Sequence, residues 1–195
     1  MAIQGLNDAW MLQRPLRNPE AITDWIARQY RDISYGEAEL QKLDIYLPEN
    51  GDGPFPTIIM IHGGGMCACD KHDFHLYPMF YALQDGFAVA AVNYRLSPAV
   101  TDPTQLYDTK AATLFLYEHA VDYHLDGENF FVWGTSAGGN MALLGGMKKG
   151  RELPEKLKAA DQVPIRGVAA LCAEATVTEM GGFGSGIGTF AEKLI

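Results

Sequence analysis

Phe130-Phe131-Val132-Trp133-Gly134-Thr135-Ser136-Ala137-Gly138-Gly139-Asn140-Met141-Ala142-Leu143-Leu144 is the stretch that decides the fold. An apolar run, a Gly-x-Ser-x-Gly turn and a second apolar run read as a buried strand, a sharp turn and a helix. Gly134 and Gly138 flank Ser136 because a strand that turns this abruptly into a helix leaves no room for side chains beside the serine. The turn presents the Ser136 hydroxyl at the end of the sheet, where it is a candidate nucleophile.

Working outward, Thr57-Ile58-Ile59-Met60-Ile61 is a second strand-like run, and His62-Gly63-Gly64-Gly65 follows it. A glycine loop at a strand end can turn backbone N–H groups toward developing negative charge. Two strand-like runs come earlier, Tyr30–Tyr35 and Leu40–Leu47, the second alternating Leu43, Ile45 and Leu47 against Lys42, Asp44 and Tyr46, while further buried runs lie between the motifs at Phe87–Val92 and after them at Val168–Cys172. Helical segments are predicted near Phe74–Leu83, Leu106–His119 and Ala137–Met147. The alternation β-α-β-α-β-α-β gives a mostly parallel sheet with helices on both faces, preceded by an antiparallel start, and it places ligands at the carboxyl ends of the strands.

With Asn93-Tyr94-Arg95-Leu96-Ser97-Pro98 between them, the two glycine motifs resemble those of the α/β-hydrolase esterases of the hormone-sensitive-lipase and bacterial carboxylesterase type, from Leu40 to Cys172. The resemblance implies an α/β-hydrolase core and hydrolysis of small carboxylic esters through an acyl-enzyme on Ser136, without a cofactor. It implies an oxyanion hole built from the backbone N–H groups of Gly64, Gly65 and Ala137. Arg95 and Asp108 resemble the family's structural charges, and Asp126 the turn acid before the nucleophile strand. In this architecture an acid and then a histidine follow the serine. Here the last histidine is His124. The sequence therefore predicts a chain truncated before the C-terminal strands, with an incomplete triad and little turnover by itself. A C-terminal complement or a homo-oligomer would supply the rest, and the alternative is a non-catalytic remnant that binds.

The organisation expected is an N-terminal helical segment over the core at 1–30, a partial α/β-hydrolase domain at 31–175, and a glycine-rich cap start or frayed end at 176–195. The first segment rests on Asn18-Pro19-Glu20 as cap, first-turn proline and first-turn acid before Ile22, Trp25 and Ile26. Within the 195 residues, 48% hydrophobic composition supports one domain. A net charge of −9 repels nucleic acid and anionic membrane, which leaves a small-molecule ester as the expected partner. No leader pattern and no apolar run of about 18 residues is present, so a cytoplasmic protein without a membrane span is expected. Cys67, Cys69 and Cys172 are too sparse for a disulfide framework and are read as reduced thiols.

Cys67, Cys69, His72 and His75 fall within nine residues but lack zinc-site spacing, so no metal is predicted and the four are not expected to converge. Gly186-Ile187-Gly188-Thr189-Phe190-Ala191 matches a dinucleotide fingerprint only nominally, since no strand leads into it. His62 suits an orienting hydrogen bond better than a base role. His72, His75, His119 and His124 give no sequence reason to meet Ser136.

Overall fold

The computed structural model describes Ala21, residues 23–146 and residues 153–173. Six strands form one sheet: β1 Gln29–Ser34, β2 Lys42–Tyr46, β3 Phe55–Ile61, β4 Ala88–Val92, β5 Leu125–Thr135 and β6 Ile165–Leu171, in the order β1-β2-β4-β3-β5-β6. The β1–β2 and β2–β4 pairs are antiparallel, whereas β4–β3, β3–β5 and β5–β6 are parallel. This is the mostly parallel sheet with an antiparallel start that the sequence predicts.

The helices are α1 Tyr77–Gln84, α2 Thr104–Glu118 and α3 Ala137–Gly146, with short 3₁₀ segments at Phe74–Leu76 and Glu155–Gln162. Strand β4 reads Ala-Val-Ala-Ala-Val and is buried along its whole length, as a central strand covered on both faces must be. Its period of two divides the core. Ala88, Ala90 and Val92 pack with Leu43, Ile45, Ile59 and, from α2, Ala112 and Leu116. Val89 and Ala91 pack with Tyr46, Met60 and, from the α1 side, Leu76, Met79 and Leu83. A third cluster, Ile61, Tyr94, Val132, Met141 and Ala142, joins α3 to the ends of β3 and β5. Each fully buried side chain of this size contributes about 1.5–3 kcal/mol relative to exposure, so the two-sided packing fixes where the strands end.

The expected helical segment at 1–30 lies outside the described residues except for Ala21 and 23–30. There the chain makes turns and then enters β1. Ile26 donates its N–H to the Thr23 carbonyl at 2.9 Å and buries its side chain among the α1-side residues. The expected segment at 176–195, including the Gly186–Ala191 stretch, lies wholly outside the described residues. The predicted helix from Phe74 begins as a 3₁₀ turn, because the Asp73 side chain accepts the His75 N–H and closes the chain too tightly for an α-turn.

Candidate active site

The parallel register sets Ile61 of β3 opposite Gly134 of β5. The next residues, His62-Gly63 and Thr135-Ser136, therefore leave the sheet side by side at its carboxyl end. Ser136 stands in the one-residue turn between β5 and α3 with φ of 54°, and it is exposed. A non-glycine residue with left-handed backbone costs on the order of 1 kcal/mol, and here the surroundings hold it: its N–H bonds the Leu171 carbonyl at 2.8 Å and its carbonyl accepts from Asn140 N at 3.0 Å.

The flanking glycines are required by close approach. A Cβ on Gly134 would stand 2.1 Å from the Gly138 carbonyl oxygen, and one on Gly138 would stand 2.2 Å from the Ile61 oxygen and 2.5 Å from the His62 oxygen. Helix α3 thus rests directly on the backbone at the end of β3. Gly64 and Gly65 have φ of 98° and 61°, and the Gly64 carbonyl accepts from the N–H groups of Cys67 and Ala68 at 3.1 Å. A side chain on Gly64 would meet the Ala68 oxygen at 2.3 Å, so the tight turn needs glycine. Ala137 is the first residue of α3, and a helix's first N–H groups have no carbonyl of their own helix to bond.

His62 is buried and stacks on Tyr94 with ring centroids 4.4 Å apart. Its Nδ1 lies 2.9 Å from the Gly63 oxygen, while the Tyr94 hydroxyl donates to the His62 and Gly63 carbonyls at 3.0 and 3.1 Å. Burial pushes the His62 imidazole below its ordinary range. It holds the loop, as the sequence suggested. Asp108 takes Arg95 in a two-toothed contact, Nε at 2.8 Å and Nη2 at 2.6 Å, plus the Arg95 N–H at 3.0 Å, which pins the chain leaving β4. Asp126 accepts from Glu128 N and Asn129 Nδ2 at the start of β5, a local turn bond far from Ser136 in the strand.

Three of the four residues of the Cys/His stretch fall into two groups. His72 joins a buried charge cluster: its Nε2 meets Asp44 Oδ2 at 2.6 Å and its Nδ1 meets Asp70 Oδ1 at 2.8 Å, while Lys71 Nζ lies 3.3 Å from Asp44 and 2.9 Å from Asp32. Burial would lower the His72 pKa, but the bonds to Asp44 and Asp70 outweigh both that and repulsion by Lys71, raising it from 6.5 to about 9. Asn93 completes the anchor, accepting Lys71 N at 2.7 Å and donating to Asp70 at 2.8 Å. This cluster ties the loop after Gly65 to β1, β2 and the end of β4.

A pH dependence follows from the cluster. A histidine whose folded pKa lies above its unfolded value contributes stability that is fully present below pH 6.5 and lost as pH rises through 9. Thermal melts should fall over that window by on the order of 2–3 kcal/mol, and His72→Gln should flatten the fall. Asp44 and Asp70, held below the ordinary carboxylate range by His72 and Lys71 against the opposing effect of burial, act with the opposite sign and give the acid limb. An alkaline slope unchanged in His72→Gln would refute the assignment.

The second group is Cys69, Asp73 and His75, whose ligand-type atoms lie within 4.8 Å of one another. His75 Nδ1 meets Asp73 Oδ1 at 2.6 Å, and both side chains are buried. Nothing in the sequence predicts that His75 lies near the serine, yet the structure places both beside Gly63. A Cβ built on Gly63 would stand 3.0 Å from His75 Nε2 and 3.4 Å from Ser136 Cβ. His75 Nε2 and Ser136 Cβ therefore both border Gly63. The signal available in the sequence was Asp73-Phe74-His75, an acid and a histidine two residues apart just beyond the glycine loop. Cys67 remains apart from both groups, with Sγ on the Gly64 carbonyl at 3.4 Å and its thiol pushed up by burial. None of the three cysteines is in a disulfide.

A separate cleft of about 270 Å³ is lined by Trp25, Ile26, Leu47, Pro48, Leu83 and Gly86. It lies beside the amino end of β4, at the opposite end of the parallel strands from Ser136, and holds none of the candidate residues. Among the described residues no helix is long and apolar enough to cross a membrane.

Comparison with known proteins is consistent with this geometry. Residues 43–188 match the BD-FAE family. The chain is 30% identical over 142 residues to versiconal hemiacetal acetate esterase of Dothistroma septosporum, covering 72% of this chain and 41% of that protein. It is 27% identical to carboxylesterase NlhH of Mycobacterium tuberculosis, covering 73% and 45%. Among solved structures it is similar to a bacterial heroin esterase, with a TM-score of 0.63, 28% identity, and 86% of this chain and 53% of that one covered. The chain spans less than half the length of these two curated relatives.

Proposed function

The chain belongs to the BD-FAE family, whose relatives here are esterases and lipase-like α/β-hydrolases, and from that premise we propose that it hydrolyses small acyl esters through an acyl-enzyme on Ser136. The observation that carries the reading is the strained, exposed Ser136 with φ of 54°, held between two glycines that admit no side chain. The hydroxyl attacks the ester carbonyl, the alkoxide leaves, and water then releases the acid. The N–H groups of Gly64, Gly65 and Ala137 receive the oxyanion, and each donor of this kind contributes on the order of 3 kcal/mol to the transition state. The reaction needs no cofactor, and the net charge of −9 suits a neutral ester.

The test is hydrolysis of p-nitrophenyl acetate and butyrate, with a burst of nitrophenol and an acyl group on the Ser136 peptide by mass spectrometry. Ser136→Ala should remove both. Turnover that survives Ser136→Ala would sink the proposal. A second reading is a binding protein with an ester-shaped site and little or no turnover. It expects saturable binding of an ester by a folded chain that gives neither burst nor acyl-peptide.

A further inference from the structure

We propose that Cys69, Asp73 and His75 form a zinc site on the loop that follows the glycine turn. The proposal stands apart from the ester reading, because it needs neither Ser136 nor turnover. The ligand-type atoms of the three residues lie within 4.8 Å of one another, and Asp73 Oδ1 stands 2.6 Å from His75 Nδ1. Ligands of one tetrahedral zinc stand roughly 3.3–3.6 Å apart, as bond lengths of about 2.0–2.3 Å require, so side-chain shifts of about 1 Å close the set. All three residues belong to one turn, 69–75, and no distant element has to move.

The donor set selects the metal. A thiolate, an imidazole nitrogen and a carboxylate are the ligands zinc takes, whereas calcium and magnesium take oxygen alone. A divalent ion held by one thiolate and one carboxylate is neutral as a group, which matters because Asp73 and His75 are buried. On binding, the Cys69 Sγ–H proton goes to water, and the imidazole enters in its neutral form with its one proton on the nitrogen that does not hold the metal. The cluster of Asp32, Asp44 and His72 makes the contrast. There Lys71 Nζ stands 2.9 Å from Asp32 and 3.3 Å from Asp44, so an ammonium already supplies the positive charge. Among the described residues Asp73 has no lysine or arginine partner; its ion pair is with His75.

The ligands are also held in advance. Asp73 Oδ1 accepts the His75 N–H at 2.9 Å, Oδ2 accepts the Asp70 N–H at 3.3 Å, and the Asp73 carbonyl accepts the Leu76 N–H at 3.0 Å. Phe74 packs on the His75 ring with centroids 4.1 Å apart. Groups that fix a ligand's direction from behind strengthen metal binding. Cys69 has φ of 76°, a left-handed conformation that a cysteine keeps only where its surroundings over-determine it. A Cβ built on Gly64 would stand 2.8 Å from Cys69 Sγ, and one on Gly63 would stand 3.0 Å from His75 Nε2. Two of the three ligands therefore border the glycine loop, and an ion bound by them clips the turn at 69–75 beside Gly63 and Gly64.

The experiment uses the 195-residue chain, stripped with a chelator and titrated with zinc chloride alone. One zinc per chain is expected, with a rise in melting temperature of about 5 °C or more when zinc is about 100-fold above its Kd. Cobalt(II) in its place should show a thiolate-to-metal charge-transfer band in the near ultraviolet, which carboxylate and imidazole ligands alone do not give. Cys69→Ser, at a residue only partly buried, should lose that band and at least about 100-fold in zinc affinity. His75→Gln, checked for folding by near-UV circular dichroism, should lose a similar factor. Cys67→Ser and Cys172→Ser should keep both band and affinity, since Cys67 Sγ is on the Gly64 carbonyl and Cys172 follows the end of β6. A folded wild-type chain that takes up no zinc at about 100 μM overturns the proposal. So does zinc binding that is unchanged in Cys69→Ser, or a cobalt band that vanishes in Cys67→Ser or Cys172→Ser instead, because the metal would then be held elsewhere. None of these outcomes bears on whether Ser136 is acylated.

Discussion

Gly138→Ala is expected to abolish both the fold of the active-site end and every Ser136-dependent activity. The added carbon would lie 2.2 Å from the Ile61 oxygen and 2.5 Å from the His62 oxygen. Both are backbone atoms, so no rotamer change relieves them. Relief requires α3 to lift from the end of β3, which would open the cluster of Ile61, Val132, Met141 and Ala142 and pull Ser136 away from Gly63. Losing two such buried contacts and the elbow geometry costs about 4 kcal/mol or more, comparable with the whole stability of many domains. Gly145→Ala in the same helix is the control. Its Cβ would meet only Leu106 Cδ1 at 3.9 Å, an ordinary contact, and alanine is the better helix former by about 0.5–1 kcal/mol. Urea melts should show the first variant unfolded or far less stable and the second unchanged or slightly more stable. A Gly138→Ala protein that melts like the wild type would show that α3 does not rest on β3 as described.

The contrast between those two glycines also marks what a sequence discloses. Gly134 and Gly138 sit at fixed offsets from a serine between two apolar runs, and that spacing has one good physical explanation, so the strand, turn and helix were legible. The same holds for β3 with its glycine loop and for β4, where five small apolar residues in a row fit only a strand covered on both faces. Continuous apolar runs and glycine turns are local signals. The placement of His75 is not local. It depends on how the loop from Met66 to Leu76 folds back, and that path is set by Lys71 and His72 reaching Asp44, a residue about 28 positions earlier in a strand whose alternation gave no hint of a buried carboxylate. Reading Asp44 as the polar face of β2 was reasonable, since period two cannot tell solvent from a charged partner. His75, which borders Gly63 together with Ser136, likewise comes from a turn 61 residues before the serine.

That dependence makes Asp44 the second most sensitive position, and Asp44→Ala should destabilise the chain by about 3–5 kcal/mol. The carboxylate is fully buried and receives the Asp32 N–H at 2.7 Å, the Tyr46 hydroxyl at 3.0 Å, Arg31 at 3.0 Å, Lys71 at 3.3 Å and His72 at 2.6 Å. Removing it leaves Lys71, 2% exposed, beside a protonated imidazole with only the peripheral Asp32 and Asp70 to balance two positive charges. An uncompensated buried charge is far costlier than the pair is stabilising, because desolvation is still imposed when the attraction is gone. The combined change Asp44→Leu, Lys71→Met and His72→Leu should therefore recover much of the loss, the hydrophobic replacement of a whole ionic group being close to neutral in other proteins. Its effect on chemistry should differ from its effect on stability. With the anchor gone but the loop packed by apolar contacts, His75 and Asp73 keep their mutual 2.6 Å bond, while the ring's position beside Gly63 loosens. Phosphonylation of Ser136 by a fluorophosphonate should then fall roughly tenfold in the triple variant although its melting point recovers, since the cluster also holds the loop after Gly65 and a displacement of about 1 Å is enough to cost that much or more. A triple variant as unstable as Asp44→Ala would mean that the charges are needed for more than each other, and a labelling rate equal to the wild type would mean that the anchor does not govern where the loop after Gly65 stands.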